Sequence, residues 1–439
     1  MTHALHLTPT RPESVARVLV AAGAVLGAAS LAGAPPATAG AAFALVVAGG
    51  LVNALAAFAR PPGAPTDGVW FRSNSSRGLV GWAWGAALTG LYVVLYFRPA
   101  WLAGWTDAAA PLREALTGAT GDGGQWFVYS LLYTTAVVVM GARMLVRHRD
   151  SRYQTLRTLS VMAVQTVLAF LLPSLLARLQ QPELYLHYTW PLDFDLFFPS
   201  GVAALRAEGR LGIVALAWFV ALLVVATPVL TYLYGKRWYC SWVCGCGALA
   251  ETAGDPYRHL GPTGLTAWRV ERWMVHGVLA LVALVTGLLW AAALTDLAWL
   301  DGVAGALSGA YGFYVGALFA GVVGVGFYPL LGSRVWCRFG CPMAAILGLQ
   351  QRFFSRFRIT VNGGQCISCG RCSAFCEMGI DVRHYAQRGQ NVVRASCVGC
   401  GICAEVCPRG VLRLENGPDT GASRTARATL IEDLDILAD

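Results

Sequence analysis

Residues 211–246 read LGIVALAWFVALLVVATPVLTYLYGKRWYCSWVCGC, an apolar run followed at once by three thiols. A helix needs about 20 apolar residues to cross about 30 Å of hydrocarbon, and Leu211 to Tyr234 supplies them. Cysteine is itself a small hydrophobe, so thiols at the end of a span have a bland reading as well as a metal or redox one. An internal repeat weighs against accident. Residues 235–244 read GKRWYCSWVC and residues 332–341 read GSRVWCRFGC, both Gly-x-Arg-x-aromatic-Cys-x-x-x-Cys, and each follows a span containing a proline, Pro228 or Pro329.

The whole chain has the balance of a membrane protein. Of its 439 residues 56% are hydrophobic and 13% charged, far from the soluble norm. Hydropathy marks eight spans: Val15 to Ala34, Thr38 to Ala59, Gly78 to Phe97, Trp126 to Val146, Thr158 to Ala177, Leu211 to Tyr234, Trp273 to Ala293 and Tyr311 to Leu331. The first follows a polar head and is succeeded at once by a second span, so it reads as a true helix and not as a removable signal. After the even-numbered spans come Arg60, Arg72 and Arg77; Arg147, Arg149, Arg152 and Arg157; Lys236, Arg237, Arg269 and Arg272; and Arg334, Arg338, Arg352, Arg356 and Arg358. The opposite loops carry Asp193, Asp195, Asp296 and Asp301. The positive-inside rule then places both termini in the cytoplasm of a multi-pass bacterial inner-membrane protein. The net charge of +9 is thereby a topology signal, and no nucleic-acid partner is expected.

All 13 cysteines lie at or beyond Cys240, so a disulfide framework spread over the chain is excluded. Cys366, Cys369, Cys372 and Cys376 form C-x2-C-x2-C-x3-C, and Cys397, Cys400, Cys403 and Cys407 repeat it before Pro408. This is the spacing of the bacterial ferredoxin with two [4Fe–4S] clusters, in which the fourth cysteine of each run ligates the other cluster. Cys366, Cys369, Cys372 and Cys407 are therefore expected to hold one cluster, and Cys397, Cys400, Cys403 and Cys376 the other. Structural zinc pairs Cys-x2-Cys units at longer separation and fits less well. Glu377 stands after Cys376 where the signature has proline.

Cys240 with Cys244, and Cys337 with Cys341, share one face if each segment is helical. Together they offer four thiolates, enough for a further iron–sulfur cluster or a mononuclear metal. Cys246 is a fifth candidate, able to substitute for Cys244. Pro342 suits the first turn of a helix PMAAILGLQQRFF, whose N-terminal dipole would favour a thiolate at Cys341. Structural or palmitoylated cysteines are the bland alternative. No nicotinamide or flavin fingerprint is present.

The fold expected is mostly α, a polytopic bundle of about eight helices with a small C-terminal α+β two-cluster ferredoxin-like domain. Four segments follow: residues 1–210 with about five helices, 211–358 with the two Cys-x3-Cys motifs at the cytoplasmic face, 359–415 for the ferredoxin domain and 416–439 for a tail. In the tail a last helix would place Leu430, Leu434 and Leu437 on one face, read as a loosely docked end or as a partner-binding segment. The outer loop ELYLHYTWPLDFDLFFP, with His187, Asp193 and Asp195, reads as an interfacial aromatic belt or a loose quinol site, and His276 lies a turn inside span seven. Arg143 is expected to snorkel.

These residues together resemble the NapH/NosR/CcoG group of membrane-bound polyferredoxins over roughly Leu211 to Glu415. CRFGCP at Cys337–Pro342 matches that group's Cys-x3-Cys-Pro motif in full, while CSWVCG at Cys240–Gly245 has Gly245 in place of the proline. The resemblance implies electron transfer between the quinone/quinol pool and a redox partner, as one subunit of a respiratory complex. Two other functions stay open: reduction of copper for oxidase assembly, and redox sensing by a regulatory subunit.

Overall fold

The computed structural model describes residues 11–58, 78–121, 124–295 and 297–417. The leucine-rich tail face at Leu430, Leu434 and Leu437, the basic residues Arg60, Arg72 and Arg77, and Asp296 lie outside the described residues. Among the described residues seven helices are long and apolar enough to cross a membrane: Arg11–Leu31, Pro36–Asn53, Gln125–Arg147, Arg152–Arg178, Gly209–Tyr234, Leu265–Thr295 and Ala298–Gly326. In hydrocarbon every backbone N–H and C=O must find its partner within the segment, and the helix is the local way to do so.

The third expected span is the first half of a bent pair. Gly81–Phe97 and Pro99–Thr117 meet at 112°, and they make an eighth crossing if counted as one. Pro99 lacks an N–H and disfavours the helical conformation at Arg98, where φ is −140° and ψ 52°. The last span also begins earlier than hydropathy suggests, at Ala298. Asp301, which breaks the apolar run, sits in its first turn, where a carboxylate complements the helix dipole.

Two spans widen into π-helix just before a proline. Val164–Leu171 precedes Pro173, and Leu222–Ala226 precedes Pro228. Proline removes a donor and displaces the carbonyl four residues back, so the ladder shifts, and hydroxyls next to the prolines bond back to the helix. Ser174 Oγ donates to the Phe170 carbonyl at 2.7 Å and Thr227 Oγ1 to that of Leu222 at 2.8 Å.

The chain divides into two compact units that cut across the segments expected from hydropathy. The first comprises Met1–His187, Gly245–Pro256 and Val325–Leu330; the second comprises Tyr188–Cys244, Tyr257–Gly324 and Leu331–Asp439. In the first unit Arg11–Leu31 and Pro36–Phe58 approach closely through small residues. A Cβ on Gly23 would lie 2.9 Å from the Ala42 carbonyl, and one on Gly49 2.9 Å from that of Ala16. This is the packing open to helices in lipid, which gain little from hydrophobic burial.

The same unit grips the returning segment Gly245–Pro256. The Tyr133 hydroxyl lies 2.7 Å from the Gly245 carbonyl and 3.1 Å from Gln165 Oε1. Buried Arg157 is ion-paired with buried Glu251. Asp255, fully buried, accepts from Arg147 at 3.0 Å and lies 3.9 Å from Arg143. Arg143 is therefore a counter-ion and not simply a snorkelling side chain.

The second unit carries β1 (Phe357–Val361) and β2 (Leu412–Asn416), antiparallel from Phe357↔Asn416 to Val361↔Leu412. All five residues of β1 are buried, and Ile359 also bridges Val392. This hairpin-like pair closes the small C-terminal α+β domain around its cysteine runs.

Glu251→Gln leaves the buried Arg157 guanidinium facing an amide, a loss expected to cost roughly 3–5 kcal/mol. Replacing both Arg157 and Glu251 by apolar residues of similar volume should cost less. Thermal unfolding of the detergent-solubilised protein measures both.

Candidate metal centres

Each copy of the internal repeat opens with a glycine that no other residue can replace. Gly235 has φ 66°, and a Cβ there would sit 2.6 Å from Gln351 Oε1 and 2.7 Å from Phe357. Gly332 has φ 87°, and its Cβ would lie 2.8 Å from the Gly261 backbone N. Both conformations are open to glycine and strained elsewhere. Gly235 follows the span Gly209–Tyr234, and Gly332 follows the short helix Tyr328–Leu331.

The segments that follow are not continuous α-helix, so the expected i, i+4 face is not what unites the thiols. Cys240 ends the one-turn helix Arg237–Cys240, and Cys244 follows a turn, its N–H donating to the Tyr239 carbonyl at 2.8 Å. Cys337 lies in a five-residue π turn, Trp336–Gly340. Cys341 is the N-cap of the helix Pro342–Phe354, its Sγ accepting from Ala344 N at 3.4 Å. All four are buried. Burial pushes the Cys240 thiol up to about 12, with the charges of Cys244 and Cys337 adding to it. Cys341 is also raised, first by burial and then by Cys337, Cys244 and Cys240 in turn. The four sulfurs are thus mutual neighbours. Cys246 belongs to the first unit, in the helix Gly245–Glu251, with Tyr96 and Tyr129 among its electrostatic neighbours.

In the C-terminal domain Cys376, Cys397, Cys400 and Cys403 line one small cavity whose walls include Ile359 and Met378. Burial raises Cys403, followed by the charges of Cys400, Cys397 and Cys376. Cys376 is pushed up to about 12 by burial, against the pull of the Ile380 and Met378 N–H groups. Gly399 N–H does the same for Cys397. Cys372 is raised by burial to about 11, and its thiol neighbours are Cys407 and Cys369. Each run's fourth cysteine therefore lies with the other run. Cys369 is exposed, and Cys366 and Cys407 are half-buried.

The donor chemistry fits iron–sulfur centres. Two sets of four thiols converge, apolar walls line the second ferredoxin set, and backbone N–H groups point at the sulfurs. Burial disfavours free thiolates here, whereas a metal cation stabilises them outright.

Polar contacts the sequence did not reveal run between the repeat and the Cys397 loop. Ser241 Oγ donates to the Val398 carbonyl at 2.7 Å, and Lys236 Nζ to that of Ala395 at 3.3 Å. Gln351 Nε2 donates to the Arg394 and Cys397 carbonyls at 2.7 and 2.8 Å, while its Oε1 accepts from Lys236 N. Arg338 Nε meets Glu271 Oε2 at 2.6 Å, and Ser396 donates to the other oxygen of Glu271. Of these only Lys236 and Arg338 were visible beforehand, as topology signals.

The weaker candidates separate. Burial pulls His187 down to about 4, so its ring is neutral. Asp193 is raised to about 7 by burial and by its hydrogen-bonded neighbour Asp195. His276 lies within Leu265–Thr295.

Residues 359–414 match the 4Fe-4S dicluster domain family, and residues 216–263 and 313–360 match the 4Fe-4S binding domain family. The chain is 29% identical over 180 residues to the putative electron transport protein YccM of Escherichia coli, covering 37% of this chain and 46% of that protein. It is also 29% identical over 154 residues to the methylamine utilization ferredoxin-type protein MauN of Methylobacillus flagellatus, covering 33% of this chain and 50% of that one. The chain thus spans about half the length of these curated relatives. No solved structure matches it.

In metal-free protein, iodoacetamide should label exposed Cys369 at least about tenfold faster than buried Cys240, Cys341 and Cys403. Because each ligating thiol gives up a proton, iron uptake should strengthen as pH rises. Mass spectrometry of the labelled peptides and iron titration at several pH values check these outcomes. Equal labelling of Cys240 and Cys369 would contradict the burial described.

Proposed function

The chain carries the iron–sulfur domains of a membrane-bound 4Fe–4S polyferredoxin, and from this premise we propose that it relays electrons between the quinone/quinol pool and a redox partner, as a subunit of a respiratory complex in the bacterial inner membrane. Cys366, Cys369, Cys372 and Cys407 hold one [4Fe–4S] cluster, and Cys376, Cys397, Cys400 and Cys403 a second. Cys240, Cys244, Cys337 and Cys341 hold a third centre at the membrane edge. When bound, such centres supply one-electron transfer.

The observation that carries this reading is the mutual proximity of four buried thiols drawn from both copies of the repeat. The hydrogen bond from Ser241, next to Cys240, to Val398, next to Cys397, supports a direct association of that set with the second. The chain's own groups bind, shield and tune. Apolar walls and burial exclude water, and backbone N–H groups from Ala344, Gly399, Met378 and Ile380 donate to sulfur. Asp193, with its raised pKa, suits acceptance of a proton from quinol at the outer face. The arginine-rich loops support a cytoplasmic ferredoxin domain.

Iron and sulfide quantitation with EPR on anaerobic, detergent-solubilised protein tests the proposal. Two clusters give about eight irons per chain, and a third cubane about twelve. Replacing Cys240 and Cys337 by serine should remove only the excess over about eight. Bound zinc with almost no iron would end the electron-transfer reading.

A further inference from the structure

Glu377 follows Cys376 at the place where Pro408 follows Cys407. It is 2% exposed, a position in which a lone carboxylate is strongly disfavoured. Both its oxygens are engaged: Oε2 lies 2.9 Å from Arg258 Nη1, and Oε1 lies 3.0 Å from Arg334 Nη2. Arg334 is as deeply buried, and its other terminal nitrogen faces the membrane-edge thiols. Arg334 Nη1 is 3.8 Å from Cys337 Sγ and 3.3 Å from the Cys240 carbonyl. The planar fork of arginine suits it to hold a carboxylate with one nitrogen and a sulfur with the other.

Two thiol sets therefore share one ion pair. The charge of Glu377 acts directly on Cys376 and Cys397 of the second ferredoxin set. The charge of Arg334 acts on Cys240 and Cys337 of the membrane-edge set. The potential of an iron–sulfur centre follows local charge and hydrogen bonds to its sulfurs. A nearby anion lowers the potential; a nearby cation or sulfur-directed N–H raises it.

We infer that Glu377 and Arg334 are positioning residues that set the redox potentials of two centres jointly, the one at Cys240, Cys244, Cys337 and Cys341 and the one at Cys376, Cys397, Cys400 and Cys403. This rests on the reading of the membrane-edge thiols as a third centre. Glu377 tunes the ferredoxin set by its own charge and the membrane-edge set by screening the positive charge that Arg334 presents to it. The exposed set around Cys369 lies outside the link.

EPR-monitored redox titration of the full-length holoprotein tests the link, with signals assigned by Cys337→Ser and Cys400→Ser. Glu377→Gln removes the anion with little change of shape. It should raise two midpoint potentials together and leave that of the Cys366, Cys369, Cys372 and Cys407 set in place, at unchanged iron content. Arg334→Lys keeps the charge but cannot span carboxylate and sulfur, so only the membrane-edge potential should fall. If Glu377→Gln loses iron, Arg334→Lys decides alone: a fall confined to the membrane-edge signal supports the link, and no shift overturns it. A Glu377→Gln protein with full iron that moves one signal or none overturns the inference while leaving the three-centre reading intact. A wild-type protein without a Cys337-dependent signal overturns both.

Discussion

Removing charge from water dominates the energetics of this molecule. A buried ion costs several kcal/mol unless another charge meets it, and the chain buries many ionisable groups beside its thiols. In the second unit Glu377 is met by Arg258 and Arg334, and Glu271 by Arg338. In the first, Glu251 is met by Arg157 and Asp255 by Arg147. The thiols obey the same constraint. Burial holds Cys240, Cys341 and Cys403 protonated as free groups, so their chemistry as ligands depends on a cation arriving to replace the protons.

The internal repeat provides the geometry on which that chemistry depends. Each copy opens at a positive-φ glycine, and the cysteines of the two copies are mutual neighbours. The copies are not identical in detail. The second runs through a π turn into a helix that starts at Pro342, so Cys341 receives a backbone N–H from Ala344. The first has Gly245 at the corresponding place, and there the chain leaves the second unit for the first. Tyr133, Arg147 and Arg157 fasten the segment from Gly245 to Pro256.

The hydrogen bonds around Cys397 show how the soluble-type domain is joined to the repeat. Ser241, Lys236, Gln351 and Glu271 each reach backbone or side-chain atoms between Arg394 and Val398. The loop from Cys366 to Gly370, by contrast, leaves Ile367 and Cys369 exposed. The two ferredoxin sets thus differ in environment although their cysteine spacings are the same.

The sequence by itself determined what is local. About 20 apolar residues make a span regardless of context, so most of the helices fall close to where hydropathy puts them, the last beginning earlier. Cysteine runs at two-residue gaps announce their chemistry because a tight loop brings the first three sulfurs of each run together. Pro342 likewise marks its helix start from local geometry. The tertiary structure decided which distant charges meet. Arg338 and Glu271 are 67 residues apart, Arg147 and Asp255 are 108 apart, and Arg258 and Glu377 are 119 apart. Along the chain Arg147 and Arg338 look like topology signals, and Glu377 looks like a lapse from a signature. Their pairing depends on how the chain is folded and on the dry surroundings in which no carboxylate or guanidinium can stay alone, and neither is written in local spacing.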